Sequence, residues 1–428
     1  MADVEAPSDT TGKEVAGRGR FAPGGSLAPF RHPAFRAIWI ANLASNLGAM
    51  IQSVGAAWLM TDLTDSHRLV AMVQVSATIP IMLFGLFAGA IADNFDRRRV
   101  MLAAQIGMLI ASAALALLTW EDLITPYLLL ALTLTVGTGT ALNAPAWQAS
   151  VRQQVGMRDL PQAISLNTIS FNLARSVGPA LGGLLISLWD VSLAFAVNAA
   201  SFVVMIVVLL RWKPGHEPKP RQPMLSAIGR GIRFCTGSSP IRRVLMRGLA
   251  MGFGLAGYQA LIPSIVRDQL QGTEFQFGLM LGMFGVGSIT CALFVGPLRR
   301  RLGTEWLLTA TVLVFVTAQT ILGTVHSLEA ALPATFLAGA AWVAVFTTLN
   351  VAMQMRSPDE ILGRCLSIYQ AVTFGAMGLG AWAWGAVADW RDLPFALHSA
   401  SAWLLLTTIL LRLFAPMPTR DEGRIQAP

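Results

Sequence analysis

Between residues 35 and 413 the chain alternates long apolar runs with short polar breaks about twelve times. A run of ~20 apolar residues is what an α-helix needs to cross the hydrocarbon core of a bilayer. Lipid offers no hydrogen bonds to the backbone, so each run has to bond its own N–H and C=O groups as a helix. The runs cover about 35–60, 69–92, 100–119, 126–148, 161–187 and 191–210, then about 244–266, 276–298, 304–323, 329–354, 362–388 and 394–413. With 13% charged and 54% hydrophobic residues, an ordinary soluble domain is excluded. The expected fold class is an all-α membrane protein with twelve transmembrane helices.

The net charge of +8 follows from where the cations fall. With a cytoplasmic N-terminus, all but four of the 31 Lys and Arg lie on the cytoplasmic side, the pattern that orients membrane proteins. The four are Arg68, Arg267 and Arg391 in outer loops and Arg175 within a span. Topology thus explains the basic balance, and no nucleic-acid partner is expected. Cys235, Cys291 and Cys365 are far apart in sequence and offer neither a disulfide framework nor a metal-ligand spacing. No metal or other cofactor is expected, and a monomer is.

Residues 1–30 read as a flexible cytoplasmic tail without the apolar core of a signal peptide. A six-helix half is expected over 31–212, a cytoplasmic linker over 213–241, a second half over 242–415 and a second tail over 416–428. In the linker Leu225, Ile228, Ile232 and Phe234 alternate with Arg230 and Arg233, which predicts an amphipathic helix on the membrane surface. The halves read as one module used twice. Gly296 follows Gly89 by 207 residues (296 − 89), and Asn350 follows Asn143 by the same interval (350 − 143). Two pseudo-symmetric six-helix halves place a substrate site near mid-membrane between them.

The break after the second run, Gly89-Ala-Ile-Ala-Asp93-Asn94-Phe-Asp96-Arg97-Arg98-Arg99, packs five charges into seven residues. Gly89 permits close approach of a second helix, and Asp93 suits the positive N-terminal end of such a neighbour. The stretch resembles the loop between helices 2 and 3 of major facilitator superfamily transporters, roughly Gly-x-x-x-Asp-Arg-x-Gly-Arg-Arg/Lys. Gly89, Asp93, Arg97 and Arg98 match it, whereas Asn94 and Asp96 replace the usual Arg and Gly.

Arg175 lies near the middle of the fifth run, where a charge is costly and marks a functional or paired position. Thr168, Asn172, Arg175, Pro179 and Gly182 form one helical stripe, at +4, +7, +11 and +14 from the first. A cation facing an anionic or oxygen-rich substrate is one reading. An arginine satisfied by carbonyls near Pro179, or by a neighbouring helix, is the other. The same run continues as Gly178-Pro179-Ala-Leu-Gly182-Gly183, whose proline frees a carbonyl and whose glycines permit bending. It resembles the Gly-Pro-x-x-Gly-Gly signature of exporters in that superfamily, with Ser165 and Ala174 where further glycines occur. Together with Trp58-Leu-Met-Thr-Asp62-Leu-Thr and Asn143-Ala-Pro145, the chain resembles the branch containing the enterobactin exporter and macrolide efflux proteins. That resemblance implies a twelve-helix exporter of the bacterial inner membrane driven by the proton gradient.

Further polar residues at helical spacing are candidate cavity walls: Asn42, Asn46 and Ser53 in the first run, then Tyr258, Gln259, Asn350, Gln354, Tyr369 and Gln370. Interhelical hydrogen bonding is the competing role for each. All 23 Asp and Glu fall in tails, loops or helix ends, so a proton path lacks an obvious carboxylate. Asp62, at the outer end of the first run, is the nearest candidate for proton coupling. No nucleotide-binding loop or catalytic constellation is present, so the expected function is secondary export of a small organic molecule, not an enzyme reaction. An uptake permease or a lipid flippase of the same fold is the alternative.

Overall fold

The computed structural model describes residues 25–213, 224–358 and 361–417. The expected tails, over 1–30 and 416–428, and the proline-rich part of the linker fall largely outside these residues. The helices are α1 (Pro33–Leu63), α2 (His67–Asn94), α3 (Arg97–Trp120), α4 (Pro126–Gln154), α5 (Leu160–Leu188), α6 (Val191–Arg211), α7 (Met224–Gly237), α8 (Ser239–Ser264), α9 (Glu274–Leu322), α10 (Leu328–Arg356), α11 (Leu362–Trp390) and α12 (Leu393–Phe414). Among the described residues there is no strand. Ten of these helices are long and apolar enough to cross a membrane.

Two elements reconcile ten with twelve. The 49-residue α9 contains two spans, because Gly303 breaks it with φ 75 and ψ 166. That positive φ is open to glycine at no steric cost. The arms, 274–302 and 304–322, fold back so that Val295 and Leu307 share a cluster with Ala344. The other element is α1, which has 31 residues but is too polar to count by hydropathy. Its polarity is used inside the protein. Gln52, 4% exposed, accepts hydrogen bonds from Ser112 of α3 (2.7 Å) and Asn198 of α6 (2.8 Å). Such a satisfied polar junction inside a membrane bundle ties three helices together where apolar contacts alone would not discriminate against lipid.

Helix ends follow the sequence. Ser66, Asp96, Thr125, Asp190 and Asp392 each accept from a backbone N–H of the first turn of the next helix. Prolines at the starts of α1, α4, α5, α8 and α12 sit where no N–H is missed. Past Ser264 the α8 axis continues through a π-turn over Ile265–Gln269.

Two small-residue seams join the halves. On one side Gly278, Gly282 and Gly285 of α9 run antiparallel to Gly183, Ala180 and Ser176 of α5. A Cβ on Gly183 would stand 2.6 Å from the Glu274 carbonyl oxygen, and one on Gly285 would stand 2.7 Å from the Ser176 Cα. On the other side Gly385, Gly378 and Gly375 of α11 meet Ala71, Thr78 with Ile79, and Met82 of α2. The seams are related by the repeat, since 278 − 71 and 285 − 78 both give 207. Small residues permit the backbone approach that packs membrane helices.

Helix α7 lies on α11, where a Cβ on Gly231 would meet the Arg364 side chain at 3.1 Å. Cys235 and Cys365, remote in sequence, have sulfurs 3.8 Å apart at this junction. The sequence spacing that argued against paired cysteines therefore does not describe their position in space.

Candidate functional site

The arginine-rich hairpin of the first half is built into its own end of the bundle. Arg97 donates to the Ala149 carbonyl (3.0 Å), and Arg98 donates to the Leu209 and Leu210 carbonyls (2.7 Å each). These carbonyls lie in or near the last turns of α4 and α6, the partially negative ends that favour a guanidinium. Gly89 and Asp93 belong to the last turns of α2; their surroundings lie outside the described residues.

Arg175 sits on the α5 face of the first seam, half-buried, with its guanidinium 5.8 Å from the Phe284 ring centroid. Among the described residues it has neither an ion-pair nor a hydrogen-bond partner. No carbonyl near Pro179 bonds it among the described residues; a neighbouring helix, α9, supplies Phe284 instead. Phe284 is stacked on Tyr258 at 5.4 Å and meets Trp342 edge-on at 5.9 Å, and Trp342 packs on Phe346 at 4.7 Å. The guanidinium therefore faces an aromatic wall that stabilises it by the ring quadrupole.

The remaining candidates separate into two groups. Asn42, Asn46 and Gln259 are half-buried and have no hydrogen-bond partner among the described residues. Asn143 keeps a buried, unpaired Oδ1. Asn172 donates to the Thr168 carbonyl of its own helix (3.0 Å), and Asn350 accepts from Gln354 (2.5 Å). These amides are not consumed in helix–helix junctions. Tyr258 and Tyr369 are instead buried, at 0% and 3% exposed. Gly178 and Gly182 bring α5 onto Met50 and Ile51 of α1, whereas Gly183, one position further, serves the seam between halves; Pro179 lies buried between these contacts.

At the end opposite the hairpin the halves are latched. Asp62, at the end of α1, pairs with Arg267 of the π-turn, which also donates to Thr61 Oγ1 (3.0 Å). His67 lies 3.7 Å from Asp268. Asp389, near the end of α11, accepts from Ser66 Oγ (2.7 Å) and the Arg68 backbone N–H (3.3 Å). That carboxylate, unfavourably placed at the negative end of its own helix, is compensated by the positive start of α2 in the other half. A cavity of about 600 Å³ opens beside the latch, lined by Asp65, His67, Asp268, Asp389, Arg391 and Asp392 among others. Sequence reasoning singled out Asp62 but not its partner. The signal was present: Arg267 follows Asp62 by 205 residues (267 − 62), close to the repeat interval, so the two sit across the pseudo-twofold axis.

A second ion pair was not anticipated. Arg247 of α8, 2% exposed, meets Glu305 in the second arm of α9 at 2.9 Å and donates to the Ala415 carbonyl at 2.8 Å. Glu305 also accepts from the Met417 N–H (2.8 Å), so the pair anchors the chain beyond α12.

A bundle of membrane helices in two repeat-related halves, joined by glycine seams and latched at one end, defines a transporter of the major facilitator type. The chain belongs to the transmembrane secretion effector family of that superfamily, whose model matches residues 24–427. It is 27% identical to the enterobactin exporter EntS of Shigella boydii, over 90% of this chain and 94% of that one. It is 25% identical to the multidrug efflux pump Tap of Mycolicibacterium fortuitum, over 88% and 94%. Among solved structures, the nucleoside transporter NupG shares the fold at 12% identity and a TM-score of 0.72, over 89% of this chain and 98% of that one. As in its family, the protein is a membrane transporter and not an enzyme.

Proposed function

We propose that the protein exports a small organic molecule across the bacterial inner membrane by alternating access, with protons moving inward. The observation that carries this reading is how the halves meet: glycine seams on both sides and, among the described residues, polar latches at the end opposite the arginine-rich hairpin make a pair of halves that can rock. With the arginine-rich end in the cytoplasm, as the charge asymmetry directs, the latched end is external. Gly89, Asp93, Arg97 and Arg98 then form the cytoplasmic hinge. Asp93→Asn is expected to impair transport while membrane abundance stays normal. Normal transport by that variant would remove the hairpin from the mechanism.

The substrate side rests on Arg175. An unpaired guanidinium against an aromatic wall, with half-buried amides at Asn42, Asn46, Asn143, Asn172, Gln259 and Asn350, suits an oxygen-rich anion such as a catecholate siderophore, or a neutral polyoxygenated drug. The relatives include an enterobactin exporter and a multidrug efflux pump. Accumulation of a catecholate siderophore in inverted vesicles tests it. Wild type is expected to accumulate it under a pH gradient, and Arg175→Ala to lose about tenfold or more, the worth of ~1.4 kcal/mol of substrate binding. Accumulation of lipophilic dyes alone, unchanged in the variant, would make Arg175 structural.

Proton coupling is assigned to the external latch. No carboxylate lies mid-span, and the acidic lining beside Asp62 concentrates protons where they arrive. Asp62→Asn is expected to leave substrate exchange down its own gradient intact and to abolish dependence on the pH gradient. Retained dependence would place the proton carrier elsewhere.

A further inference from the structure

A second site lies on the lipid-facing surface, away from the pathway. Near the end opposite the arginines, α3 and α6 leave a groove of about 620 Å³ between them. Small side chains make it: Ala113 and Ala116 on α3, Ala196 and Ala199 on α6. Behind it, Ser112 and Asn198 of the same helices are fully buried and point the other way, into the Gln52 junction. The groove is therefore on the outward face of the pair, where the surrounding solvent is lipid. Its mouth is flanked by Trp120 and Trp189, 72% and 68% exposed, at the ends of α3 and α5. Tryptophans so placed mark the headgroup level of a bilayer.

The charges at that mouth have one sign. Asp190 lies in the lining, and Glu121 and Asp122 follow Trp120 directly in an exposed turn. Neither this turn, residues 121–125, nor the Trp189-Asp190 turn contains a lysine or arginine. An anionic headgroup would meet repulsion with no cation to offset it, whereas a primary ammonium would meet carboxylates. Acyl methylenes fit the alanine-lined slot, and the tryptophan indole N–H groups suit a phosphate at the same level.

We infer that the α3–α6 groove is a binding site for an amine-bearing phospholipid, of the phosphatidylethanolamine class, in the leaflet opposite the arginine-rich end. The acyl chain lies along the alanines and the ammonium faces Asp190.

The test is native mass spectrometry of the purified full chain. It is exchanged into micelles with equimolar phosphatidylethanolamine and phosphatidylglycerol of the same acyl chains. Wild type is expected to retain the ethanolamine lipid about fivefold over the glycerol lipid, the scale of one exposed charge pair. Ala196→Phe fills the slot and is expected to lose most of the retained lipid. Val203→Phe, a lipid-facing change on the same helix outside the groove, is expected to keep it. Asp190→Asn preserves the helix cap and is expected to retain lipid without headgroup preference. Equal retention of both lipids by wild type, or equal loss in the Ala196 and Val203 variants, would overturn the assignment.

Discussion

Replacing Arg247 by alanine is expected to destabilise the second half by about 3–5 kcal/mol, the usual cost of stranding one partner of a buried ion pair. Among the described residues, Glu305 would keep a charge with only the Met417 N–H to face it. The Ala415 carbonyl would lose its donor, and the Leu411 carbonyl would keep only the Ala415 N–H. The damage is therefore to three elements at once: α8, the second arm of α9 and the chain end after α12. Thermal unfolding in detergent should show it as a large fall in Tm. The double variant Arg247→Met with Glu305→Leu should recover most of the loss, because an apolar pair of similar volume needs no desolvation. If the single variant melts with wild type, the pair contributes nothing and the anchoring lies in apolar packing alone.

The second large effect is expected at Gly183. A Cβ there meets backbone on both nearby contacts, the Glu274 carbonyl oxygen at 2.6 Å and the Gly278 Cα at 2.9 Å. Neither can move aside as a flexible side chain would. Gly183→Ala is thus expected to disfavour closure at the latched end by about 1–3 kcal/mol, roughly 5- to 150-fold in the balance between states. Transport should fall by a similar factor, while the separate halves remain folded. Spin labels at Leu123 and Gln271, one in each half near that end, should report a longer distance in the variant. Gly282→Ala, in the same seam, meets its nearest neighbour at an ordinary 3.4 Å and should behave as wild type. An unchanged label distance in Gly183→Ala would show that the seam does not gate.

Much of this was legible before any coordinates. The apolar runs and their breaks specify the helices, because lipid leaves the backbone no other solution, and the 207-residue repeat marks two related halves. Arg175 stood out because a mid-span cation is rare, and the glycines around Pro179 because so many small residues share one helix. What each glycine touches was not legible. Gly182 packs within a half and Gly183 between halves, a distinction set by one residue of helical rotation. Tyr258 and Tyr369 looked like cavity residues by type and spacing, yet the packing of neighbouring helices buries both.

The amino-acid sequence by itself determined the membrane class, the two-fold repeat and the family, since these depend on composition and periodicity along the chain. The tertiary structure alone decided which charges meet. Asp62 with Arg267, Asp389 with the start of α2, and Arg247 with Glu305 are separated by 58 to 321 residues. Coulomb and hydrogen-bond energies act over a few ångströms, so those pairings exist only once the helices have been brought together.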